Sequence, residues 1–334
     1  MKYLVTGSAG FIGFHVSKSL LENGHEVLGI DNLNNYYDIK LKQARLSILQ
    51  KLPGFSFCKN DICNTSEVEK IFSSHSPEHV IHLAAQAGVR NSISSPRDYL
   101  ENNLIGFFNI LDCARRFSVK HFVYASTSSV YGANELLPFS EINHADHPIQ
   151  FYAATKRSNE LMAHSYSSVF DMPTSGVRFF TVYGPWGRPD MALFKFTKNI
   201  LKGEPINVFN HGNHMRDFTY VDDIVSGILA VSSHPAQSNP QWDPLLPDPS
   251  SSKAPFQIYN IGNSTPVNLM KYIEIIEGFL GKKAIINFEP MQQGDVKETI
   301  SDISKISKLG YEPLTDIETG IKNFISWYKQ YINE

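Results

Sequence analysis

The N-terminal run "KYLVT" (2–6) passes directly into "VTGSAGFIG" (5–13), and a helix-period segment follows over 11–22. Glycines at 7, 10 and 13 leave only a tight turn between the two elements. A strand that turns straight into a helix is the opening unit of a parallel sheet covered by helices. The next 160 or so residues keep that rhythm. Strand-like apolar runs recur at 26–31, 55–61, 79–85, 121–126 and 174–180, and helical patterns at 38–51, 65–74, 98–117 and 152–170. Because crossovers between parallel strands are right-handed, a doubly wound, Rossmann-type α/β fold is the economical solution.

After residue 180 the rhythm breaks. Helices are expected near 191–203, 221–231, 267–280 and 316–332, and the Pro/Ser-rich stretch 232–255 reads as a long irregular insertion. The expected organisation is a nucleotide-type domain over 1–180, with sheet contributions from later segments. A smaller C-terminal α/β part over 181–334 would pack against it.

With 334 residues, 42% hydrophobic and 19% charged, the chain can bury a large core. The net charge of −3 offers no basic footprint for nucleic acid and no polybasic patch for a membrane surface. No apolar run reaches the roughly 18 residues that a membrane span requires. The chain begins in a strand, so no signal peptide is expected. Cys58, Cys63 and Cys113 form no C-x-x-C pair and read as reduced thiols of a cytoplasmic protein. His144/His147 and His211/His214 lie in loop-like segments without cysteine partners, so no metal site is expected.

The glycine loop carries chemistry as well as shape. Gly7, Gly10 and Gly13 clear side chains from the place where backbone would approach a pyrophosphate. The start of the helix, at Phe11 and Ile12, offers free N–H groups and a positive dipole end to that anion. Asp31 closes the second strand 18 residues after Gly13. An acid there accepts hydrogen bonds from both hydroxyls of an adenosine ribose and repels a 2′-phosphate, which selects NAD over NADP. Asn32 follows it. Asp61 and Ile62 end the third strand, where they could hold the adenine. Leu83, Ala84, Ala85 and Gln86 end the fourth, where small residues let a cofactor lie against the sheet.

"YAATK" places Tyr152 and Lys156 four residues apart, on one face of a helix. A free tyrosine titrates near about pH 10, so it needs an electrostatic partner to act as a base near neutrality. A lysine one turn on can lower the phenol and also bind a nicotinamide ribose. The fifth strand ends in "ASTSSVYG", which sets Thr127, Ser128 and Ser129 at the C-terminal edge of the sheet, where open α/β folds bind ligands. Together these residues form a minimal apparatus for moving a hydride off a carbinol carbon.

With these residues assembled, the chain resembles the extended short-chain dehydrogenases/reductases, and within them the bacterial UDP-glucuronate 4-epimerases. The likeness rests on "VTGSAGFIG", "GIDNLNNYYD", "HLAAQAGVR", "YASTSSVYG", "YAATK", "RFFTVYGPWGRPDMALFKFTK", "RDFTYVDDI", "YNIGNS" and "GDV". The resemblance implies that Tyr152 is the base, Lys156 its electrostatic partner and Thr127 the third member. It implies a UDP-hexuronate substrate and an NAD that is held throughout the cycle. It further implies that Arg216 binds the pyrophosphate and Asp295 the uridine ribose. Thr181, Ser128 and Ser129 would donate hydrogen bonds to the sugar carboxylate. Arg90 and Arg188 are candidates for the uronate or the phosphates, since an arginine fork fits either anion. Phe194 and Phe196 could line a uracil pocket, although core packing explains at least one of them equally well. Relatives often dimerise through helices equivalent to 98–117 and 152–170, so a homodimer is expected.

Rival readings separate on single residues. A decarboxylase resembling this chain would carry Glu where Ser129 stands, and a 4,6-dehydratase an Asp-Glu pair just after the threonine. A neutral UDP-hexose epimerase is the nearest alternative, and a non-catalytic NAD-binding protein would be expected to lack Tyr152 or Lys156. Asn103, Gly106 and Asn109 read as helix residues that meet neighbouring backbone, and Trp327 and Tyr328 as packing. "NNYYD" (34–38) could touch adenosine or cap the helix that follows.

Overall fold

The computed structural model describes residues 1–332. Its strands are β1 (Lys2–Thr6), β2 (Glu26–Asp31), β3 (Phe55–Lys59), β4 (His79–His82), β5 (His121–Thr127), β6 (Thr174–Phe179), β7 (Thr181–Tyr183), β8 (Ile206–Val208), β9 (Met215–Tyr220), β10 (Phe256–Ile261), β11 (Pro266–Asn268) and β12 (Ile286–Phe288). Its helices are α1 (Phe11–Glu22), α2 (Ile39–Leu49), α3 (Thr65–His75), α4 (Asn91–Ser94), α5 (Pro96–Tyr99), α6 (Phe107–Arg116), α7 (Phe151–Phe170), α8 (Ala192–Lys202), α9 (Val221–Ser232), α10 (Leu269–Leu280), α11 (Ser304–Ser307) and α12 (Ile317–Tyr331).

Seven strands make one sheet in the order β10-β6-β5-β4-β1-β2-β3, parallel throughout. Successive side chains point to opposite faces, and both faces are buried. On β1, Tyr3 and Val5 enter the core shared with α1, α9, α10 and α12, while Leu4 enters the core under α3, α6 and α7. Along β5, Phe122 and Tyr124 go to the second core and Val123 to the first. This double burial is why the strands read as unbroken apolar runs rather than as alternations.

Two expectations need correction. The segment 98–117 is not one α-helix: its path is π-helical over Leu100–Gly106 before α6 begins. The widened turns carry Asn103 to the Gln86 backbone, donating to its carbonyl (3.1 Å) and accepting from its amide (2.8 Å). Asn109 donates to the Ile62 carbonyl (2.9 Å), and a side chain at Gly106 would overlap Ile62. These three residues therefore meet neighbouring backbone and packing, as the sequence suggested. Second, β3, β4 and β6 stop short of the predicted ends, at Lys59, His82 and Phe179. The chain beyond β4 leaves the ladder because Thr6 Oγ1 captures the amides of Leu83 and Ala84, each at 3.1 Å.

The later part supplies β10, which pairs with β6 from Phe256↔Thr174 to Ile261↔Phe179. It also builds a three-stranded sheet β11-β9-β7 and a pair β12-β8. The stretch 232–255 is irregular as expected. Asp248 ties it by accepting from Ser250 and Ser251, and Lys305 donates to Ser250. Trp327 and Tyr328 pack, with Trp327 5.3 Å from the Tyr331 ring centre and 5.1 Å from that of Trp186.

The site is positioned by the reversal of strand order at β1. Strands β2 and β3 lie on one side of it and β4 to β6 on the other, so the loops after β1 and β4 diverge above the sheet. Gly7, at φ +71°, is where they touch: a Cβ there would come within 2.9 Å of the Ala84 nitrogen. Gly13 is the tighter point, since a Cβ there would overlap the Gly7 carbonyl. Gly13→Ala should therefore lower stability by about 1–3 kcal/mol, read as a drop in urea midpoint at unchanged slope. An unaltered midpoint would contradict this account of the loop.

Candidate active site

The glycine loop folds back on β2. The Gly7 amide bonds the Ile30 carbonyl at 2.7 Å and the Gly10 amide bonds the Gly7 carbonyl at 2.9 Å. The first bond of α1 runs from the Phe14 amide to the Gly10 carbonyl at 3.0 Å. The amides of the first helical turn, at Phe11, Ile12 and Gly13, thus lack intrahelical acceptors and face the cleft, as an anion site requires. Asp31 is 8% exposed and is held by the Ala9 amide (3.2 Å) and the Leu33 amide (2.8 Å).

These groups line a cavity of about 380 Å³ that also takes in Asn32, Ile62 and Leu83 to Gln86. Asp61 is exposed and outside the cavity wall; it accepts from Asn32 (3.0 Å) and the Cys63 amide (2.9 Å), and so orients Asn32. Burial alone would raise its carboxyl, but these donors outweigh it and hold the group low. In 34–38 the capping expectation holds, since Asp38 caps α2 by accepting from the Lys40 amide; Asn34 and Tyr36 line the cavity. A cradle in which side chains are excluded by backbone at Gly7 and Gly13, closed by a buried acid, fits a dinucleotide.

Helix α7 forms one wall, with Tyr152, Lys156 and Glu160 spaced by four on a single face. Thr127 ends β5 and its hydroxyl meets the Tyr152 phenol. Burial pushes the phenol up, and the Arg188 charge and the Thr127 hydrogen bond pull it back only in part. The Lys156 ammonium, one turn on along the same face, has the Glu160 carboxylate as its charged neighbour. Lys156 is 2% exposed. Burial lowers its ammonium to about 8, with Glu160 working the other way.

Glu160 went unnoticed in the sequence, although the same spacing of four points to it. It is completely buried and receives Arg178 Nε and Nη2, each at 2.9 Å. Arg157 adds a contact at 2.9 Å and Ser126 one at 2.5 Å. Burial would raise this carboxyl, but Arg178, Arg157 and Ser126 outweigh it and keep it low. The cluster therefore fixes α7 to β5 and β6 directly beneath Lys156.

A second cavity, of about 990 Å³, opens from the first and shares Ser128, Ser129, Thr181 and Arg188 with it. Ser128 and Ser129 lie in the turn after β5, where the Ser129 amide donates to Thr127 Oγ1 at 3.2 Å. Arg188 pairs with Asp190 at 3.0 and 2.5 Å. Burial works against its charge, but Asp190 outweighs burial and holds the guanidinium ionised. Arg90 lies 5.0 Å over the Phe209 ring. Phe196 faces this cavity. Phe194 does not: it packs 5.1 Å from the Tyr328 ring centre, because residues two apart on α8 point to opposite sides. At the far end Arg216 donates to Asp295 at 2.9 Å. Its neighbour in sequence, Asp217, is fully buried and accepts from the Asn263, Ser264 and Ser301 amides. Phe209, Gln150 and Asn199 also line the cavity and had no signal in the sequence.

Comparison with known proteins follows the same lines. A protein described as a probable UDP-glucuronate 4-epimerase from Rhizobium meliloti is 47% identical over 332 residues, covering 99% of this chain and 97% of that protein. The crystal structure of UDP-glucuronic acid 4-epimerase from Bacillus cereus, in complex with UDP-glucuronic acid and NAD, is 34% identical with a TM-score of 0.88, covering 99% and 100%. UDP-glucose 4-epimerase from Thermotoga maritima, solved with UDP-glucose, is 30% identical with a TM-score of 0.86 and the same coverage, 99% and 100%. The family model for the NAD dependent epimerase/dehydratase family matches residues 3–262. With its glycine cradle, buried acid and Tyr152–Lys156 couple in place, this chain belongs to the NAD dependent epimerase/dehydratase family.

Proposed function

We propose that the protein interconverts UDP-glucuronate and UDP-galacturonate by inversion at C4, with NAD in the glycine-loop cleft. The observation that carries this reading is the junction of the two cavities. There Tyr152 and Thr127 stand beside three hydroxyl side chains, Ser128, Ser129 and Thr181, while the nearby Asp190 carboxylate is taken up by Arg188. Glycine-loop amides would hold the pyrophosphate of NAD and Asp31 its adenosine ribose. When bound, NAD supplies the acceptor, and afterwards the donor, of the hydrogen at C4.

The residues of the chain do the rest. With the positive charges of bound NAD and Lys156 beside it, Tyr152 would ionise and, as phenolate, take the proton from O4 as a ketone forms there, then give it back after the sugar has turned to present its other face. Thr127 orients the sugar hydroxyl toward the phenol. Lys156 keeps a positive charge under the nicotinamide ribose. Arg216 and Asp295 grip the nucleotide while the sugar moves, which the larger cavity leaves room for. The 4-keto uronate is a β-keto acid and loses CO₂ when its carboxylate bond aligns with the carbonyl π-system. Ser128, Ser129 and Thr181 would hold the carboxylate out of that alignment by hydrogen bonding. The division of labour follows the chain: residues 1–180 hold the cofactor, and 181–334 mainly the nucleotide sugar.

The homodimer belongs to the same proposal. It is supported by Ile105, Phe108, Leu161, Val169 and Phe170, which are exposed on the π segment, α6 and α7. A cytoplasmic location is supported by three free thiols, Cys58, Cys63 and Cys113. Among the described residues no helix is long and apolar enough to cross a membrane.

Purified protein given UDP-glucuronate should form UDP-galacturonate, and UDP-glucose should react far more slowly. Preference for the neutral sugar would sink the uronate assignment. Tyr152→Phe should cost at least about a hundredfold in turnover, and Thr181→Ala should release a decarboxylated sugar that the wild type does not. Lys156→Met should lose comparable activity yet keep or raise the melting temperature, since it removes a buried cation. The folded-state value of about 8 lies below the ordinary 10.5. Any stability gain from methionine is thus full below about pH 8, fades up to about pH 10.5, and vanishes above it. Sedimentation should give twice the 37.6 kDa chain mass, and Phe108→Glu with Leu161→Glu should give the single chain.

A further inference from the structure

His214 stands outside every role given so far. It immediately precedes β9 and is 4% exposed. Its backbone is pinned by the Gly212 carbonyl and the Leu269 amide, each at 2.9 Å. Its Nδ1 lies 3.4 Å from the Lys297 carbonyl, a contact that only an N–H can make. A neutral ring therefore carries a bare lone pair at Nε2. That Nε2 has no hydrogen-bond partner and faces Asp295 Oδ2 at 3.6 Å. Two acceptors confront each other in a buried space. One more proton on the ring would convert the confrontation into a charge-assisted hydrogen bond.

The charges acting on the ring are Arg216 on β9 and Asp295 on the facing 289–299 segment. That segment otherwise presents the Val296 and Lys297 carbonyls, and α10 meets the residue through Leu269. Burial first, and then Arg216, hold the ring neutral, while Asp295 works in the opposite direction. Arg216 occupies the same carboxylate at Oδ1, 2.9 Å away. A diphosphate drawn onto Arg216 pulls that guanidinium from Asp295 and adds negative charge nearby. Both changes favour a cation at His214.

We propose that His214 gains one proton from solvent as a nucleotide sugar binds, so that its Nε2–H donates to Asp295 Oδ2 and fixes that carboxylate for the ribose hydroxyls. This rests on the reading above, in which Arg216 takes the diphosphate and Asp295 the uridine ribose. His214 is then a positioning residue that acts through Asp295. The coupling is reciprocal: a ligand whose binding draws in a proton binds more tightly as pH falls through the range where the ring titrates.

Calorimetric titration of UDP-glucuronate into the NAD-loaded Tyr152→Phe protein, in two buffers of unlike ionisation heat, reads the proton directly. Uptake of about half a proton per ligand is expected near about pH 6.5, with binding about fivefold tighter at about pH 6 than at about pH 8. His214→Gln in the same background keeps a polar side chain that does not titrate, and should abolish the uptake and flatten the pH dependence. His214→Leu, which removes the polar atoms altogether, should do the same. Binding without uptake, or equal uptake in both variants, overturns the proposal and leaves the assigned function standing. Failure of the NAD-loaded protein to bind UDP-glucuronate overturns the assigned function and this proposal with it.

Discussion

The pairing of β1 with β2 on one edge and β4 on the other is the constraint on which the site depends. A central parallel strand must send its exit loop upward, and its two neighbours lead away in opposite directions. The crevice that results is lined by backbone, because Gly7 and Gly13 permit no side chain where the loops meet each other and the helix. Everything that would recognise a dinucleotide hangs from that contact. The first-turn amides of α1, the buried Asp31 and the Leu83 to Gln86 stretch keep their relative places only while the loops touch.

A second constraint is electrostatic. The wall opposite the crevice carries Lys156, Glu160 and Arg178, all buried. A lysine ammonium placed there unaccompanied would tend to lose its proton. Glu160 opposes that, and Arg178, Arg157 and Ser126 keep Glu160 itself ionised. Removing Glu160 or Arg178 leaves the other's buried charge uncompensated, which typically costs about 3–5 kcal/mol, whereas Glu160 keeps its arginine partners when Lys156 is removed. The arrangement thus holds a cation beneath the cofactor site through a chain of partners reaching across α7, β5 and β6. Paired charges recur in the substrate cavity, where Asp190 engages Arg188 and Asp295 engages Arg216. An anionic ligand must compete with these carboxylates, which makes binding and local rearrangement one event.

Family membership and local physics meet at the turn after β5. The rival readings of the sequence separate on what stands beside the threonine, and here the neighbours are Ser128 and Ser129. Serine hydroxyls can hold a carboxylate but cannot do the work of a carboxylic acid in elimination or decarboxylation. That distinction, together with Thr181 across the cavity, is what favours epimerisation over loss of CO₂ or water in the function proposed for this chain.

The sequence by itself determined the doubly wound sheet, the glycine turn, Asp31 at the end of β2, and the alignment of Tyr152 with Lys156. Each depends on spacing within a short segment: period two, period 3.6, or a residue placed at a strand end. The tertiary structure alone decided what required distant segments to meet. Strand β10 could not be read from "FQIYNI" because its partner β6 lies about 80 residues earlier and a Pro/Ser-rich stretch intervenes. The π-helical path at Leu100–Gly106 follows from Asn103 reaching the Gln86 backbone, and the end of β4 from Thr6 capturing two amides. Likewise, that Arg178 meets Glu160, that Arg216 meets Asp295, and that His214 faces Asp295 are matters of position in space. Coulombic and hydrogen-bonding partners are chosen by distance and burial, and neither is a property of neighbouring letters.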